Sequence, residues 1–171
     1  MKHLVIYTDG CHYGDKNSSG NTNERYVGFG AWCSHEGQEY ELSEQCSLEV
    51  IKRFGLTEKD FKVISNPTAE FLALAYLLDT LSDVVEQQEV KLIVYSDYVG
   101  VQKWVSGEWK AKKPYIRKIK QFITAWLKNH PKIILDLRYV KGHSGDEGND
   151  KADHLATSQD HLNTFMNLTL M

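Results

Sequence analysis

The sequence predicts a mixed α/β sheet with helices on its faces, and three observations carry that expectation. Two apolar runs, His3–Asp9 and Val90–Asp97, each end on an aspartate. Buried parallel strands end in this way where open α/β sheets place their ligands. Between them, Asn66-Pro-Thr-Ala-Glu70 opens a stretch with leucines at helical spacing, which suits a crossover joining two parallel neighbours. The full order reads three strands, helix, strand, two helices, strand, helix, and a mixed sheet accommodates it most readily.

The first strand, His3–Asp9, is followed at once by Gly10, which permits close approach of a backbone or a ligand. Cys11–Arg25 is rich in Gly, Ser and Asn and reads as a mobile loop. Tyr26–Ser34 and Gln38–Gln45 read as an antiparallel pair turning near Glu36-Gly37. Gly28-Phe-Gly30 lacks the further glycine of a dinucleotide fingerprint, so it marks a bulge or a close-packed strand. Within Cys46–Ile64, the apolar Leu48, Val50, Ile51 and Phe54 hint at a short helix.

Asn66 as N-cap and Pro67 in the first turn then open the clearest helix, with Leu74, Leu77, Leu78 and Leu81 as its buried stripe. Glu70 stands on that stripe one turn before Leu74, where either the helix dipole or a site accounts for a carboxylate. The strand ending on Asp97 leads into a helix over about Tyr98–Ser106. Pro114 begins an amphipathic helix carrying Ile116, Ile119, Ile123, Trp126 and Leu127, stopped by His130-Pro131. Ile133–Val140 is the last strand. It runs into the glycine-punctuated Lys141-Gly-His143-Ser-Gly-Asp-Glu-Gly148, whose acids do not fit calcium-loop spacing. Asn149–Thr157 is the closing helix, with Ala152, Leu155 and Ala156 facing the core and Asp150, Asp153 and His154 beside them. One domain over residues 1–160 is expected, with 161–171 a tail of undetermined structure.

A chain of 171 residues with 42% hydrophobic and 25% charged residues is long enough for one proper core. No apolar run is long enough to cross a bilayer, and the N-terminus lacks a basic-then-apolar signal pattern. A cytoplasmic protein without a membrane partner is expected, and a monomer. Cys11, Cys33 and Cys46 lack CxxC spacing, which suits free thiols in a reducing compartment; Cys33 and His35 would be half of a zinc site with no second half visible. The net charge of −3 does not announce a nucleic-acid binder. Its distribution says more: Lys103, Lys110, Lys112, Lys113, Arg117, Lys118 and Lys120 face the single acid Glu108 across that stretch, interleaved with Trp104, Trp109 and Tyr115. Such a run is either a solvated helical face or a surface that contacts phosphates and stacks beside a backbone.

Four carboxylates have reasons to converge: Asp9, Asp97, Glu70 and an aspartate of the last helix, Asp150 or Asp153. Together without cations they repel, and some stay protonated at neutral pH. Hard divalent cations remove the conflict, and Mg²⁺ takes oxygen ligands while accepting substrate phosphates. Two such ions about 3.5–4 Å apart suit an in-line phosphoryl displacement. His143, on its loop, can shuttle protons or help release product.

The stretches Tyr-Thr-Asp9-Gly10, Asn66-Pro-Thr-Ala-Glu70-Phe-Leu-Ala-Leu, Tyr-Ser-Asp97 with Trp104 downstream, and Val-Lys-Gly-His143-Ser-Gly followed by Asn149-Asp-Lys-Ala-Asp153-His-Leu-Ala stand in order and in register. In this the chain resembles ribonuclease H of type 1. The resemblance covers most of the length and implies a ribonuclease H-like fold with a five-stranded mixed sheet flanked by helices. It implies an endoribonuclease that hydrolyses the RNA strand of RNA–DNA hybrids with two Mg²⁺ ions, Mn²⁺ substituting, and leaves 5′-phosphate and 3′-hydroxyl ends. It assigns Asp9, Glu70, Asp97 and Asp153 to the metals, favours Asp153 over Asp150, and places His143 on the catalytic loop with Asn149 beside the site.

Substrate choice should rest on the 2′-hydroxyl, which separates RNA from DNA. Backbone groups near Gly10 and Cys11 and the side-chain amide of Asn66 are placed to read it. Pro67 stands where many relatives carry a second polar residue. Trp104, Lys112 and Lys113 are the candidates for the DNA strand: no basic handle helix fits between Trp104 and Tyr115, and Gly107–Lys113 would replace it. No separate hybrid-binding domain is expected to precede this one, so affinity should be modest and strongly salt-dependent. The competing readings are a non-catalytic binder of hybrid or structured RNA, and a DNA-directed nuclease of the same fold.

Overall fold

The computed structural model describes residues 1–13, 26–158 and 160–170. Its strands are β1 (Lys2–Tyr13), β2 (Tyr26–His35), β3 (Gln38–Gln45), β4 (Val90–Ser96), β5 (Ile133–Tyr139) and β6 (Leu162–Asn163). Its helices are α1 (Leu48–Lys52), α2 (Glu58–Lys62), α3 (Asn66–Leu81), α4 (Val99–Ser106), α5 (Pro114–Asn129) and α6 (Glu147–Ser158), and a 3₁₀ turn spans Phe165–Asn167. The six strands form one sheet in the order β5-β4-β1-β2-β3-β6. β1 runs parallel to β4 and β4 to β5, whereas β1, β2 and β3 are antiparallel neighbours. The two strands that lead to Asp9 and Asp97 are therefore adjacent and parallel, joined through α3.

The helices divide between the two sheet faces. α3 lies directly on β1 and β2, with α5 packed behind it. From Thr68 to Leu78 almost every α3 side chain is buried, because sheet and α5 enclose it on opposite sides. The leucine stripe is thus one part of a helix buried nearly all round. α6 covers the other face over β1, β2 and β3. Gly28 and Gly30 permit this: a Cβ on either would stand 2.1–2.2 Å from a carbonyl oxygen of α6. They are close-packed strand positions.

Several boundaries differ from the sequence expectation. β1 does not end on Asp9 but continues through Tyr13, paired with β2. What stops near Asp9 is the pairing with β4, whose last matched residues are Tyr7 and Tyr95. Ser65, not Asn66, is the N-cap of α3, so Asn66 is already helical and its side chain is free for other work. Cys46–Ile64 holds two short helices instead of one; Phe54, between them, meets Phe122 of α5 edge-on at 4.7 Å. The part of the anticipated mobile loop within 14–25 lies outside the described residues. The expected five strands are six, because the tail pairs Leu162 and Asn163 with the outer edge of β3. Beyond β6, Phe165, Leu168 and Leu170 enter the core.

Phe165 is fully buried and lies 6.3 Å from the Tyr40 ring. Phe165→Ala should lower unfolding free energy by about 3–5 kcal/mol, read from urea midpoints; a loss below about 1 kcal/mol would mean that the tail docks without stabilising the fold.

Candidate active site

Beyond Tyr7 and Tyr95 the two parallel strands part, and carboxylates line the opening. Asp9 extends from β1, Asp97 follows the last residue of β4, and Glu70 comes from the first turns of α3. One carboxylate oxygen from each lies within 4.8 Å of the others. Gly10 makes this approach possible: a Cβ there would stand 2.1 Å from the Ala69 carbonyl oxygen, so α3 rests on the bare backbone of β1. Ser96 Oγ donates to Glu70 Oε2 at 3.4 Å, fixing the helix carboxylate to the end of β4.

The cluster is electrostatically loaded. Asp9 and Glu70 are buried at 3% and 6% exposure. Burial is the main cause that pushes Asp9 up to about 8, with the charges of Asp97 and Asp153 adding to it. Glu70 is driven well above the carboxylate range, first by burial and then by Asp9 and Asp97. Hydrogen-bonding and charge interactions place Asp153 of α6 beside Asp9, although it stands outside the tight three-carboxylate group. Asp150 is exposed and lines a separate surface groove with Trp32 and Glu39.

The other anticipated residues fall into three groups. Asn149 is buried on the first turn of α6, and its Nδ2 donates to Asp97 Oδ2 at 3.5 Å; its Oδ1 has no partner among the described residues. His143 is exposed on the loop after β5, with φ 55°. The residue before it passes close to the cluster, since a Cβ on Gly142 would lie 3.1 Å from Asp97 Oδ2. Gly10 and Cys11 direct their α-carbon and thiol into packing: Gly10 against α3, and Cys11 Sγ donating to Ala156 O at 3.3 Å. Only their backbone remains for a ligand. Asn66 Oδ1 accepts from His12 N at 2.8 Å, tying α3 to β1 and leaving its amide N–H groups as donors.

Trp104, Lys112 and Lys113 gather some distance along, around a cavity of about 290 Å³ that Ser65, Pro67, Tyr98, Lys110 and Tyr115 also line. Trp104 packs between Phe71 and Trp109, at 5.1 and 6.2 Å. Lys103 is paired with Glu108 and Lys118 with Asp60, but Lys110, Lys112 and Lys113 have no ion-pair partner among the described residues. The expected absence of a helix between α4 and α5 is met by an irregular 107–113 stretch. Sequence reasoning overlooked Ser96, whose signal was its place inside the Tyr-Ser-Asp97 motif. It also overlooked Asp146, which stands three residues before Asn149 as N-caps do and accepts its backbone N–H at 3.0 Å.

Fold and site together define an α/β protein with an all-oxygen acidic cluster where two parallel strands part. The ribonuclease H family model matches residues 1–160. Ribonuclease H of Verminephrobacter eiseniae is 30% identical over 166 residues, covering 91% of this chain and 89% of that protein. Ribonuclease H of Agrobacterium fabrum is 31% identical over 171 residues, with 91% and 93% covered. Among solved structures, LC11-RNase H1 in complex with an RNA/DNA hybrid, from a compost metagenome, aligns with TM-score 0.64 at 17% identity over 91% of this chain and 97% of that one. RNase H1 of the archaeon Halobacterium salinarum aligns at 0.62 and 18%, with 92% and 96% covered. The chain belongs to the ribonuclease H family.

The unfolded chain ionises Asp9 near the ordinary value of 3.8, whereas the metal-free fold holds its proton up to about 8. Between those values the fold binds more protons than the unfolded chain, so metal-free stability falls as pH rises from about 4 to 8. Asp9→Asn removes that ionisation. It should make the decline shallower and stabilise the metal-free protein by roughly 1–2 kcal/mol at pH 8. Urea denaturation in EDTA at pH 5 and pH 8 checks this; an unchanged slope would contradict it.

Proposed function

We propose that this chain is a divalent-metal-dependent endonuclease that hydrolyses the RNA strand of RNA–DNA hybrids. In this reading two cations, Mg²⁺ or substituting Mn²⁺, are held by Asp9, Glu70, Asp97 and Asp153. The observation that carries the reading is the carboxylate cluster itself, built into a chain of the ribonuclease H family. The donor set fits hard cations: it is all oxygen, with no thiolate or imidazole among the three closest ligand atoms. Two of its carboxylates are buried and pushed toward the protonated form, a cost that a bound cation relieves by replacing the protons. When bound, such cations neutralise charge on the scissile phosphate and ease deprotonation of an attacking water.

The chain's own residues supply position and protons. Ser96 orients Glu70, and Asn149 orients Asp97 while offering its unpartnered Oδ1 to the site. His143, exposed beside the cluster, takes or gives a proton at an imidazole nitrogen. In-line attack by water with the 3′-oxygen as leaving group leaves 5′-phosphate and 3′-hydroxyl ends. The Asn66 amide and the backbone at Gly10 and Cys11 face the 2′-hydroxyl. The DNA strand lies along the cavity of Lys110, Lys112 and Lys113, its sugars or bases against Trp104 and Tyr98. LC11-RNase H1, a structural neighbour, is solved with an RNA/DNA hybrid, which supports this choice of substrate.

Labelled RNA–DNA hybrid, RNA–RNA and DNA–DNA duplexes, in Mg²⁺ or EDTA, test the reading. Only the hybrid's RNA strand should be cut, and Asp97→Asn should reduce cleavage on the order of 10³-fold or more. Tight binding without cleavage would make the protein a non-catalytic binder, and cut DNA would mean a different substrate. Replacing Lys112 and Lys113 together by Ala should raise KM with kcat little changed and reduce the slope of log affinity against log salt by about two; an unaltered slope would remove the cavity from the interface.

A further inference from the structure

The strand order puts β5 at one end of the sheet, where among the described residues it pairs with β4 alone. Two hydrogen bonds at the ends of that pairing fix its phase. Val90 N donates to Lys132 O at 3.4 Å, and Val140 N donates to Ser96 O at 3.0 Å. Even-numbered residues of β5 therefore turn their backbone N–H and C=O toward β4, while Leu135, Leu137 and Tyr139 turn theirs outward. Edges of this kind are commonly blunted by a proline or a bulge. Ile133–Tyr139 holds no proline, and its register against β4 is unbroken. A cavity of about 470 Å³ lies along it, walled on the helical side by Gln102, Val105 and Ser106 of α4. Ile134 and Tyr139 are 49% and 50% exposed.

The charges of β5 have a pattern of their own. Asp136 and Arg138 stand two positions apart, so they share a sheet face. Asp136 meets Arg138 Nη2 at 2.8 Å and Lys91 Nζ at 3.6 Å, but both contacts fall on Oδ2. Among the described residues Oδ1 is left to a further cation. The Arg138 side chain is 44% exposed.

An antiparallel copy of β5 related by a two-fold axis could dock on this edge in several registers, and charge separates them. Centred on Asp136 or on Arg138, the axis sets like charges opposite each other. Centred on Leu135, it sets Arg138 opposite Lys132. Centred on Leu137, it sets Asp136 opposite Arg138 twice, Leu135 opposite Tyr139, and Leu137 opposite itself. In that register the outward groups of Leu135, Leu137 and Tyr139 exchange about six inter-chain hydrogen bonds, and the charged pairs take the closer, non-hydrogen-bonded positions.

We propose that two copies of this chain associate through β5, antiparallel about Leu137, to make one continuous sheet. The inference goes beyond the ribonuclease reading and does not depend on it. It departs from the monomer expected from the sequence. Antiparallel strands direct the two carboxylate clusters to opposite ends of the joined sheet, so neither copy covers the other's site. The contact is small, and weak association follows, with Kd about 10–100 µM.

Sedimentation velocity of the whole chain from about 2 to 400 µM reads that association. Asp136→Lys and Arg138→Glu each set like charges opposite one another across the axis and should weaken it about tenfold or more. An equimolar mixture of the two variants sets opposite charges at both contacts and should associate within about threefold of wild type, a recovery that a merely misfolded variant would not show. In the wild-type chain, amide exchange at Leu135, Leu137 and Tyr139 should slow as concentration rises, with β1 unchanged. A wild-type chain that stays monomeric to about 400 µM would overturn the proposal. So would a dimer that neither variant weakens, a mixture of folded variants that fails to associate, or protection gained elsewhere than on β5.

Discussion

Three carboxylates held within a few ångströms of one another, two of them buried, are the constraint around which this molecule is arranged. Such a cluster is unfavourable in isolation, because desolvation and mutual repulsion both act against ionisation. It persists because each member is fixed by an element with its own reason to be there. Asp9 and Asp97 are delivered by adjacent parallel strands whose apolar runs fill the centre of the sheet. Glu70 is delivered by a helix buried nearly all round, whose contact with β1 depends on the missing side chain of Gly10. Moving any one carboxylate away would mean repacking the core, so the strain is held by hydrophobic burial elsewhere.

The same logic extends outward. α6 sits close on the opposite face because Gly28 and Gly30 present bare backbone to it, and that seating brings Asn149 to Asp97 and Asp153 to Asp9. The loop with His143 lies between two anchored elements, β5 and α6. The basic cavity near Trp104 is lined by the first turn of α3, by α4 and by the start of α5. It forms where α4 ends on Gly107 and the chain turns toward Pro114, leaving Lys110, Lys112 and Lys113 exposed beside the first turn of α3.

Much of this was legible in the sequence where local pattern and long-range structure coincide. The runs ending on Asp9 and Asp97 announced adjacent strands because fully buried parallel strands leave few polar positions, and Glu70 stood out as an acid on the apolar stripe of its helix, one turn before Leu74. What escaped was set by contacts distant in sequence. The continuation of β1 through His12 and Tyr13 has little strand signal of its own and is imposed by pairing with β2. Ser65 and Asn66 are both good caps, and the choice between them turned on Asn66 reaching His12. The tail gave no periodicity, since Phe165, Leu168 and Leu170 are buried by a 3₁₀ turn and the chain after it against the sheet edge. Asn149 to Asp97, and Tyr7 beneath Gly148, are pairings that no local window contains.

The central claim is that protons on the buried carboxylates are exchanged for divalent cations. Isothermal titration calorimetry of Mg²⁺ into the metal-free protein at pH 7, repeated in buffers of different ionisation enthalpy, measures the protons released per ion bound. With Asp9 titrating at about 8 and Glu70 well above its ordinary value, the account requires net proton release that falls sharply in Asp9→Asn. Binding with no proton release, or release untouched by that substitution, would show that the cations are not held by this cluster.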